Sequence, residues 1–287
     1  MKIYNAKPLG NIRCVLGEGP VWNTKTGTLS WVDLATGVLH IENEEGHTKV
    51  QTCQVMGAAI PTQSGRFIGC LTTGFYLLDQ DGPVKKLATP KTMNPRHRFN
   101  DAKADAAGRI WAGEYTYCCD TGKPASLQVF YPDGTIEEIL NGIGGPNGMD
   151  WTPDNKTFYF IDTYTNHVSA FDCDFEKPAI TARREVVKVE QGIPDGMTLD
   201  AEGKLWVAQW GAGCVARYDA ESGEMLAKIE VDAPEVSSCC FGGKDLDKLY
   251  ITTAATELVS AGSGLTYVCE PGVQGMPMHL FDDSKLV

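Results

Sequence analysis

The sequence predicts an all-β fold, a six-bladed β-propeller whose blades are four-stranded antiparallel sheets. Three observations support this prediction: short apolar-aromatic segments follow turn residues, these segments recur at an even spacing, and no 12-residue stretch carries a helical stripe of apolar residues. Glycine is also frequent, at 31 of 287 residues against a usual ~7%, and with 15 prolines it suits many short strands better than long helices.

Six segments share one form, a turn with Gly, Asp or Asn followed by a strand such as Leu-Ser-Trp-Val or Leu-Trp-Val-Ala. Their first apolar residues are Leu29, Phe67, Ile110, Phe158, Leu205 and Leu249. The gaps between them are 38, 43, 48, 47 and 44 positions, and a period of roughly 40–50 built from strands is typical of a propeller blade. Six repeats therefore predict six blades in a single domain spanning residues 1–287. A pair of β-sandwiches would explain the strands but not their spacing.

The two ends of the chain are expected to close the ring. After Leu249 there is room for strands near 264–269 and 277–281, and the segment 2–6 precedes the first blade. We expect this N-terminal segment to complete the last blade, because doing so hides two sheet edges that would otherwise be exposed.

Composition narrows the classes of function. The formal net charge of -12 gives no sign of the excess of basic residues that is expected of a nucleic-acid-binding protein. The sequence contains no run of 18 apolar residues, so it predicts no membrane-spanning helix. The first residues lack the apolar run of a signal peptide, and the ten cysteines contain no C-x-x-C pair. We therefore expect a cytoplasmic protein with mostly reduced, buried cysteines, either a monomer or a weak homo-oligomer.

Polar residues recur where the innermost strand of each blade begins. Positions 10 or 11 residues before the strand anchors are Glu18, Gly57, Asn100, Asn147, Asp195 and Cys239. Equivalent positions in a ring converge on one axis, so two carboxylates and amide oxygens should meet there and repel each other unless a cation binds them. Oxygen donors favour a hard divalent metal. Taken alone, Asn-Gly and Asp-Gly are also ordinary turn residues; their coincidence across the blades favours a metal site.

Four stretches carry a family resemblance: Gly-Glu-Gly-Pro-Val-Trp (17–22), Arg-Phe-Asn-Asp-Ala-Lys (98–103), Pro-Asn-Gly-Met-Asp (146–150) and Pro-Asp-Gly-Met (194–197). With these motifs at blade spacing, the chain resembles the family of senescence marker protein/regucalcin, gluconolactonase and luciferin-regenerating enzyme. The resemblance implies hydrolysis of a sugar lactone, which would be the small-molecule partner. Two alternatives stay open: a regucalcin-like calcium-binding regulatory protein, and a hydrolase of a non-sugar lactone or ester.

The same resemblance implies roles for individual residues. Glu18, Asn147 and Asp195 would bind one divalent metal ion, with Ca²⁺ first and Zn²⁺, Mn²⁺, Mg²⁺ or Fe²⁺ as alternatives. Asp195 would also accept a proton in catalysis. Arg98 and Asn100 would contact substrate hydroxyls, although Arg98 could instead pair with Asp101 or Asp105 at the surface.

The segment after the third blade's strand departs from the regucalcin pattern. Animal regucalcins carry an acidic pair there, whereas this chain reads Gly-Glu-Tyr-Thr-Tyr-Cys-Cys (113–119), with Glu114 four positions too early. We interpret the neighbouring His97 as an exposed loop residue. Tyr115 and Tyr164 are expected to pack between blades, with a place on a substrate rim as the alternative.

Overall fold

A computed structural model of the chain describes residues 1–116 and 125–286. Within these residues the backbone forms 25 strands and one 3-10 turn, Thr163–Thr165. The strands, in chain order, are β1 (Lys2–Asn5), β2 (Lys7–Arg13), β3 (Gly17–Asn23), β4 (Thr28–Asp33), β5 (Val38–Asn43), β6 (Gly46–Gln51), β7 (Met56–Pro61), β8 (Phe67–Leu71), β9 (Gly74–Asp79), β10 (Gly82–Ala88), β11 (His97–Ala104), β12 (Ile110–Thr116), β13 (Ala125–Phe130), β14 (Ile136–Ile143), β15 (Pro146–Trp151), β16 (Thr157–Asp162), β17 (His167–Asp174), β18 (Ala179–Lys188), β19 (Ile193–Leu199), β20 (Leu205–Trp210), β21 (Cys214–Tyr218), β22 (Met225–Glu230), β23 (Val236–Gly242), β24 (Lys248–Thr253) and β25 (Leu265–Cys269).

These strands form the six blades of a propeller, as the repeats predicted. Blades one to five are β3–β6, β7–β10, β11–β14, β15–β18 and β19–β22, each paired antiparallel in chain order; blade six is β23–β25 with β2. The first strand of each blade lies innermost, and each contacts the innermost strand of the next blade, with β23 returning to β3. All six predicted strand anchors fall on the second strands of the blades.

The core lies between the blades. Phe75 of blade two stacks on Phe130 of blade three with ring centroids 4.5 Å apart, and Trp206 of blade five meets Phe241 of blade six edge-on at 5.9 Å. All four side chains are buried. Strands covered on both faces explain why apolar residues occupy adjacent positions in the repeats instead of alternating with polar ones.

A repeated aspartate holds the turn before two of the second strands. In blade three the carboxylate of Asp105 accepts from Trp111 Nε1 at 2.9 Å and from Arg109 Nε at 2.6 Å. In blade five Asp200 likewise accepts from Trp206 Nε1 at 2.9 Å. These buried carboxylates therefore have structural partners within their own blades.

The N-terminal segment closes the ring in a different register from the one predicted. Residues 7–13, as β2, pair antiparallel with β25 and complete blade six, whereas residues 2–5, as β1, pair in parallel with β22 and add a fifth strand to blade five. The expectation for 2–6 was therefore wrong in detail. Both stretches are short and largely polar, so their sequences do not distinguish them. The positions of the two free sheet edges, on β22 and β25, decide which stretch pairs with which edge.

The C-terminal segment after β25 crosses the end of the channel where the inner strands finish. The strand expected near 277–281 is absent from it; Phe281 forms only an isolated bridge to Thr62. On one side Gly275 N donates to Leu246 O at 2.8 Å, and on the other Phe281 N donates to Pro61 O at 3.0 Å. The fully buried Phe281 ring stacks on Phe130, so the segment joins blade six to blades two and three.

Two further expectations concern membranes and cysteines. In the described part of the chain, no helix has the length and apolarity needed to cross a membrane. Eight of the ten cysteines lie in this part, all eight are free thiols, and six of them are buried. Cys118 and Cys119 fall outside the described residues.

Truncating the anchor of the C-terminal segment should destabilise the propeller. Phe281→Ala removes a fully buried aromatic ring and leaves a cavity against Phe130, so we expect a loss of about 3–5 kcal/mol in the free energy of unfolding. Urea unfolding followed by tryptophan fluorescence measures this. Lys285→Ala, at an exposed position of the same segment, is the control, with an expected change within about 0.5 kcal/mol. Equal stability of the two variants would contradict the anchoring role.

Candidate active site

The predicted site residues lie together at the starts of the inner strands. Glu18 is on β3, Asn147 on β15 and Asp195 on β19, and each is only 7–8% exposed. Strand pairing in β15 skips from Pro146 to Met149, and in β19 from Pro194 to Met197. These β-bulges leave Asn147 and Asp195 out of the ladder, which is how a strand redirects a side chain.

Glycines behind the bulged residues allow the inner strands to approach closely. A Cβ on Gly148 would lie 2.5 Å from Met197 N, and a Cβ on Gly196 would overlap the side chain of Ser238. The Asn-Gly and Asp-Gly pairs are therefore not merely turn chemistry here, since the glycine admits the neighbouring blade while the polar residue is redirected. Gly57, the glycine at the equivalent position in blade two, meets the backbone of Phe99 and Asn100 in the same way.

Three carboxyl groups influence one another in the channel. Burial, and after it the charge of Asp101, raises the pKa of Glu18 to about 8, although Arg98 acts in the opposite direction. Burial also raises the pKa of Asp195 well above its ordinary value, with Glu18 and Asp101 as the nearest repelling charges. The pKa of Asp101 rises to about 6, again mainly through burial. Clustered acids with raised pKa values are typical of functional sites.

Asp101 is a member of this cluster that the sequence analysis did not assign. It stands next to Asn100 in the same bulge of β11, where pairing skips from Phe99 to Ala102. Because the bulge removes two consecutive residues from the ladder, both can face the channel. The repeat spacing pointed to only one residue per blade; the Asn-Asp pair in the motif was the available signal.

A chain of hydrogen bonds links Arg98 to blades four and five. Arg98 Nη1 donates to Asn100 Oδ1 at 2.6 Å, and Asn100 Nδ2 donates to Asn147 Oδ1 at 2.9 Å and to Pro146 O at 2.8 Å. Asn147 Nδ2 donates to Thr163 Oγ1 at 2.7 Å, whose hydroxyl donates to Pro194 O at 3.0 Å. The structure thus connects the predicted substrate contacts to the predicted metal ligands.

Arg98 also forms one side of an aromatic rim. Its guanidinium lies 4.8 Å from the ring centroid of Tyr115, and the Tyr115 hydroxyl is 2.9 Å from that of Tyr164 on blade four. Tyr164 is 61% exposed, so it lies at the surface and the expected packing between blades was wrong for it. Asp105, one alternative partner for Arg98, is buried and not at the surface, and its carboxylate is instead occupied by Arg109.

His97 is buried, which corrects its interpretation as an exposed loop residue. Its Nδ1 is 2.6 Å from Glu114 Oε1, and Glu114 also accepts from Thr92 and from Ser126 Oγ at 3.0 Å. A buried carboxylate needs such hydrogen-bond partners. Through His97, Glu114 holds β11, the strand that carries Arg98. Cys118 and Cys119 lie outside the described residues.

The chemistry of the donor set fits a hard divalent cation. No group of three or more His, Cys, Asp and Glu side chains in residues 1–116 and 125–286 could hold a metal by itself, so the two carboxylates would need the amide oxygen of Asn147. The Asn147 amide nitrogen is engaged by Thr163, which leaves its oxygen to face the channel. The Asp195 carboxylate has no hydrogen-bond donor among the described residues. The two carboxyl groups have raised pKa values, and a dication that neutralises their charge would stabilise them in the ionised form.

Two other concave regions lack this chemistry. A cleft of about 740 Å³ between blades one and six is lined by Trp22, Glu44 and Lys244, and a cavity of about 230 Å³ near the C-terminal segment is lined by Lys103, Asp150 and His279. Neither contains Glu18, Asn147 or Asp195. The converging acids therefore identify the channel mouth, and not these cavities, as the candidate active site.

Comparison with known proteins gives a consistent result over most of the chain. The family model described as SMP-30/Gluconolactonase/LRE-like region matches residues 16–255, which include all five predicted site residues. Regucalcin from Bos taurus is 36% identical over 284 residues, covering 93% of this chain and 94% of that protein. Pentonolactonase XacC from Haloferax volcanii is 37% identical over 257 residues, covering 88% and 86%.

The fold agrees as well. The crystal structure of a regucalcin from Agrobacterium tumefaciens, described as a calcium-binding protein, matches with a TM-score of 0.90 and 25% identity over 98% of this chain and 99% of that chain.

The raised pKa values predict how the stability of the metal-free protein depends on pH. Between about pH 4, where carboxyl groups of the unfolded chain titrate, and about pH 8, the value for Glu18, the folded chain binds more protons than the unfolded chain. The contribution of these groups to unfolding free energy should therefore fall as pH rises through this window. Urea unfolding in chelator at pH 5, 6.5 and 8 measures the slope.

Glu18→Gln provides the comparison, because it cannot ionise and should flatten this slope. Excess Ca²⁺ should restore stability to the native protein mainly at the upper end of the window, where the carboxylates are ionised. An identical pH dependence of native protein and Glu18→Gln in chelator would contradict the assigned pKa shifts.

Proposed function

Because the chain belongs to the SMP-30/gluconolactonase/LRE-like family, we propose that it hydrolyses a sugar lactone of the gluconolactone or xylonolactone type to its aldonic acid, assisted by one divalent cation. The observation that carries the proposal is the convergence of Glu18, Asn147 and Asp195 at bulged strand starts, with two carboxyl groups whose pKa values are raised. Burying like charges together is unfavourable, and a cation between them relieves the repulsion.

Glu18, Asn147 and Asp195 would hold the cation through oxygen. When bound, the cation supplies Lewis acidity that polarises the lactone carbonyl and stabilises negative charge on its oxygen. Ca²⁺ suits the all-oxygen donor set, and Zn²⁺, Mn²⁺, Mg²⁺ or Fe²⁺ are the alternatives to be tested.

Asp195 acts as the general base in this proposal. A water molecule attacks the carbonyl carbon and gives a proton to the Asp195 carboxylate as the new carbon–oxygen bond forms. The ring carbon–oxygen bond then breaks, and the same carboxyl returns the proton to the departing ring oxygen, which becomes a hydroxyl. The product is a hydroxy acid, and the carboxylate starts the next cycle ionised.

Arg98 and Asn100 position the substrate. Arg98 stacks on Tyr115 and donates to Asn100, so its guanidinium is held beside the channel mouth. From there both side chains can bind ring hydroxyls, which lowers the entropic part of the barrier.

Charge balance favours a neutral substrate. Glu18 and Asp195 offset the two positive charges of the cation, and the positive charge of Lys103 acts on the third acid, Asp101. An uncharged lactone therefore enters without leaving a buried charge unpaired.

Acid release tests the proposal directly. The protein purified without added metal is analysed for its elements, and gluconolactone and xylonolactone hydrolysis is followed by pH-stat before chelation, after chelation and after return of each cation. Metal-dependent acid release is expected. Calcium binding without hydrolysis of any aldonolactone would overturn the proposal in favour of a calcium-binding role, and hydrolysis confined to aromatic or aliphatic lactones would change the substrate class.

Removing the general base should abolish turnover without unfolding the protein. Asp195→Asn preserves the shape of the side chain but cannot accept the proton, so kcat should fall by about 10²–10⁴-fold. Asp154→Asn, at an exposed turn of blade four, is the matched control and should keep native activity. If Asp195→Asn retains full turnover with metal bound, Asp195 is not the base.

Arg98 should act mainly on substrate binding. Arg98→Ala removes charge-assisted hydrogen bonds worth about 1.5–3 kcal/mol, so KM should rise by roughly 10–100-fold with a smaller change in kcat. Steady-state kinetics over a lactone concentration series measure both constants. Arg96→Ala, two positions earlier and exposed, is the control. An unchanged KM in Arg98→Ala would remove Arg98 from the substrate site.

A further inference from the structure

The hydrogen-bond chain at the channel mouth has a direction that the chemistry of its ends determines. At one end the Arg98 guanidinium can only donate, so the Asn100 atom it meets is an oxygen. The Asn100 nitrogen then donates to the carbonyl of Pro146, which can only accept. The Asn147 atom facing Asn100 Nδ2 must accordingly be its oxygen, and the Asn147 nitrogen faces Thr163.

The far end of the chain is determined in the same way. The Thr163 hydroxyl lies 2.7 Å from Asn147 Nδ2 and 3.0 Å from the carbonyl of Pro194. Since that carbonyl only accepts, the hydroxyl hydrogen belongs to it and the hydroxyl oxygen accepts from Asn147. In the opposite amide orientation the Asn147 oxygen would face Thr163 Oγ1, whose hydrogen is already donated to Pro194 O, and the contact would contain no hydrogen bond.

The amide orientation matters because only its oxygen can bind a cation. A reversed Asn147 would present an NH₂ group to the metal. Asn100 also holds the amide, but it does so through the same oxygen that the cation would need, and Asn100 is itself a proposed substrate contact. Thr163 engages the nitrogen end and leaves that oxygen available.

The local backbone places Thr163 firmly. It begins the 3-10 turn after β16, and its N–H donates to Gly145 O at 2.9 Å. The preceding Asp162 accepts from the N–H groups of Gly144 at 3.1 Å and Gly145 at 2.9 Å, just before Asn147 in β15. The turn and the ligand strand are thus tied together, so the Thr163 hydroxyl has a fixed position.

From this geometry we infer that Thr163 is a positioning residue, which holds the Asn147 amide with its oxygen toward the cation and joins that ligand to the strand of Asp195. The inference rests on the proposed metal-dependent function. It differs from that function in naming a residue that contacts neither cation nor lactone. Partners of this kind typically change metal affinity by about 10–100-fold when they are removed.

Isosteric substitution tests the inference. Thr163→Val keeps the shape but removes both hydrogen bonds, so the dissociation constants of Ca²⁺ and Mn²⁺, measured by titration calorimetry on the chelator-stripped full chain, should rise by about 10–100-fold. Thr163→Ser restores the hydroxyl and should return affinity to within about threefold of native. Thr165→Val is the matched control, because Thr165 lies in the same turn but its hydroxyl bonds only to neighbouring backbone, to Asp162 O and His167 N.

Combining Thr163→Val with Asn147→Asp separates an effect on amide orientation from a general disturbance of the structure. In Asn147→Asp the two side-chain oxygens are equivalent, so no wrong orientation exists. Adding Thr163→Val to that background should weaken cation binding by less than about threefold. A penalty as large as in the native background would show that Thr163 acts through structure alone and would overturn the inference.

The outcomes distinguish this inference from the proposed function. Native binding of the cations with unchanged affinity in Thr163→Val overturns the positioning role and leaves lactone hydrolysis standing. Weakened binding in Thr163→Val, in a protein that hydrolyses no lactone, supports the positioning role and refutes the enzymatic proposal. Failure of the native chain to bind any of Ca²⁺, Mn²⁺, Zn²⁺, Mg²⁺ and Fe²⁺ refutes both. If Thr163→Val does not fold, Thr163→Ala and the Thr163→Ser rescue decide the same question.

Discussion

Ring closure is the constraint on which the other features of this protein depend. A twisted four-stranded sheet can bury both faces only against neighbouring sheets, and six such sheets achieve this when the last meets the first. Here the closure combines β2 from the N-terminal end with β23–β25 from the C-terminal end, while Arg13 donates to Ser263 O at 2.6 Å beside that seam. Once the ring is closed, the first strand of every blade must face one axis, and residues distant in sequence become neighbours.

The convergence of the inner strands at the channel mouth destabilises the fold. A bulge at the start of each inner strand removes residues from the ladder, and glycines such as Gly148 and Gly196 admit the adjacent strand at distances that a side chain would forbid. Asp101 and Asp195 leave the ladder in this way, whereas Glu18 stays paired with Val32 just before the bulge of β3. The three acids are buried close to one another and resist ionisation. Such an arrangement does not stabilise the fold, and its persistence is understandable if a bound cation offsets the repulsion.

Side chains connect blades three, four and five at the mouth. The hydrogen-bond chain from Arg98 to Pro194 passes through blades three, four and five, and the contact between Tyr115 and Tyr164 joins blades three and four at the rim. One proposed ligand, Asn147, therefore shares a network with both proposed substrate contacts, Arg98 and Asn100. A change in the packing of these blades would move all three together, which links the stability of the ring to the geometry of the site.

The residue pattern was enough to predict the propeller, the six blades and the placement of Glu18, Asn147 and Asp195 at one mouth. It could do so because the strand period maps onto rotation around the ring, so that equal sequence offsets become equal positions. The roles of these residues stay proposals.

Other features depend on contacts between distant segments, and the sequence pattern does not predict them. Residues 7–13, not 2–6, complete the last blade, because free sheet edges exist only in the assembled ring. Asp101 joins the acid cluster through a bulge that the strand period does not encode, and His97 is buried because Glu114 accepts its hydrogen bond inside the blade. Thr163 lies in a turn between strands, where no repeat identifies it, and its position against Asn147 and Pro194 arises only when blades four and five pack together.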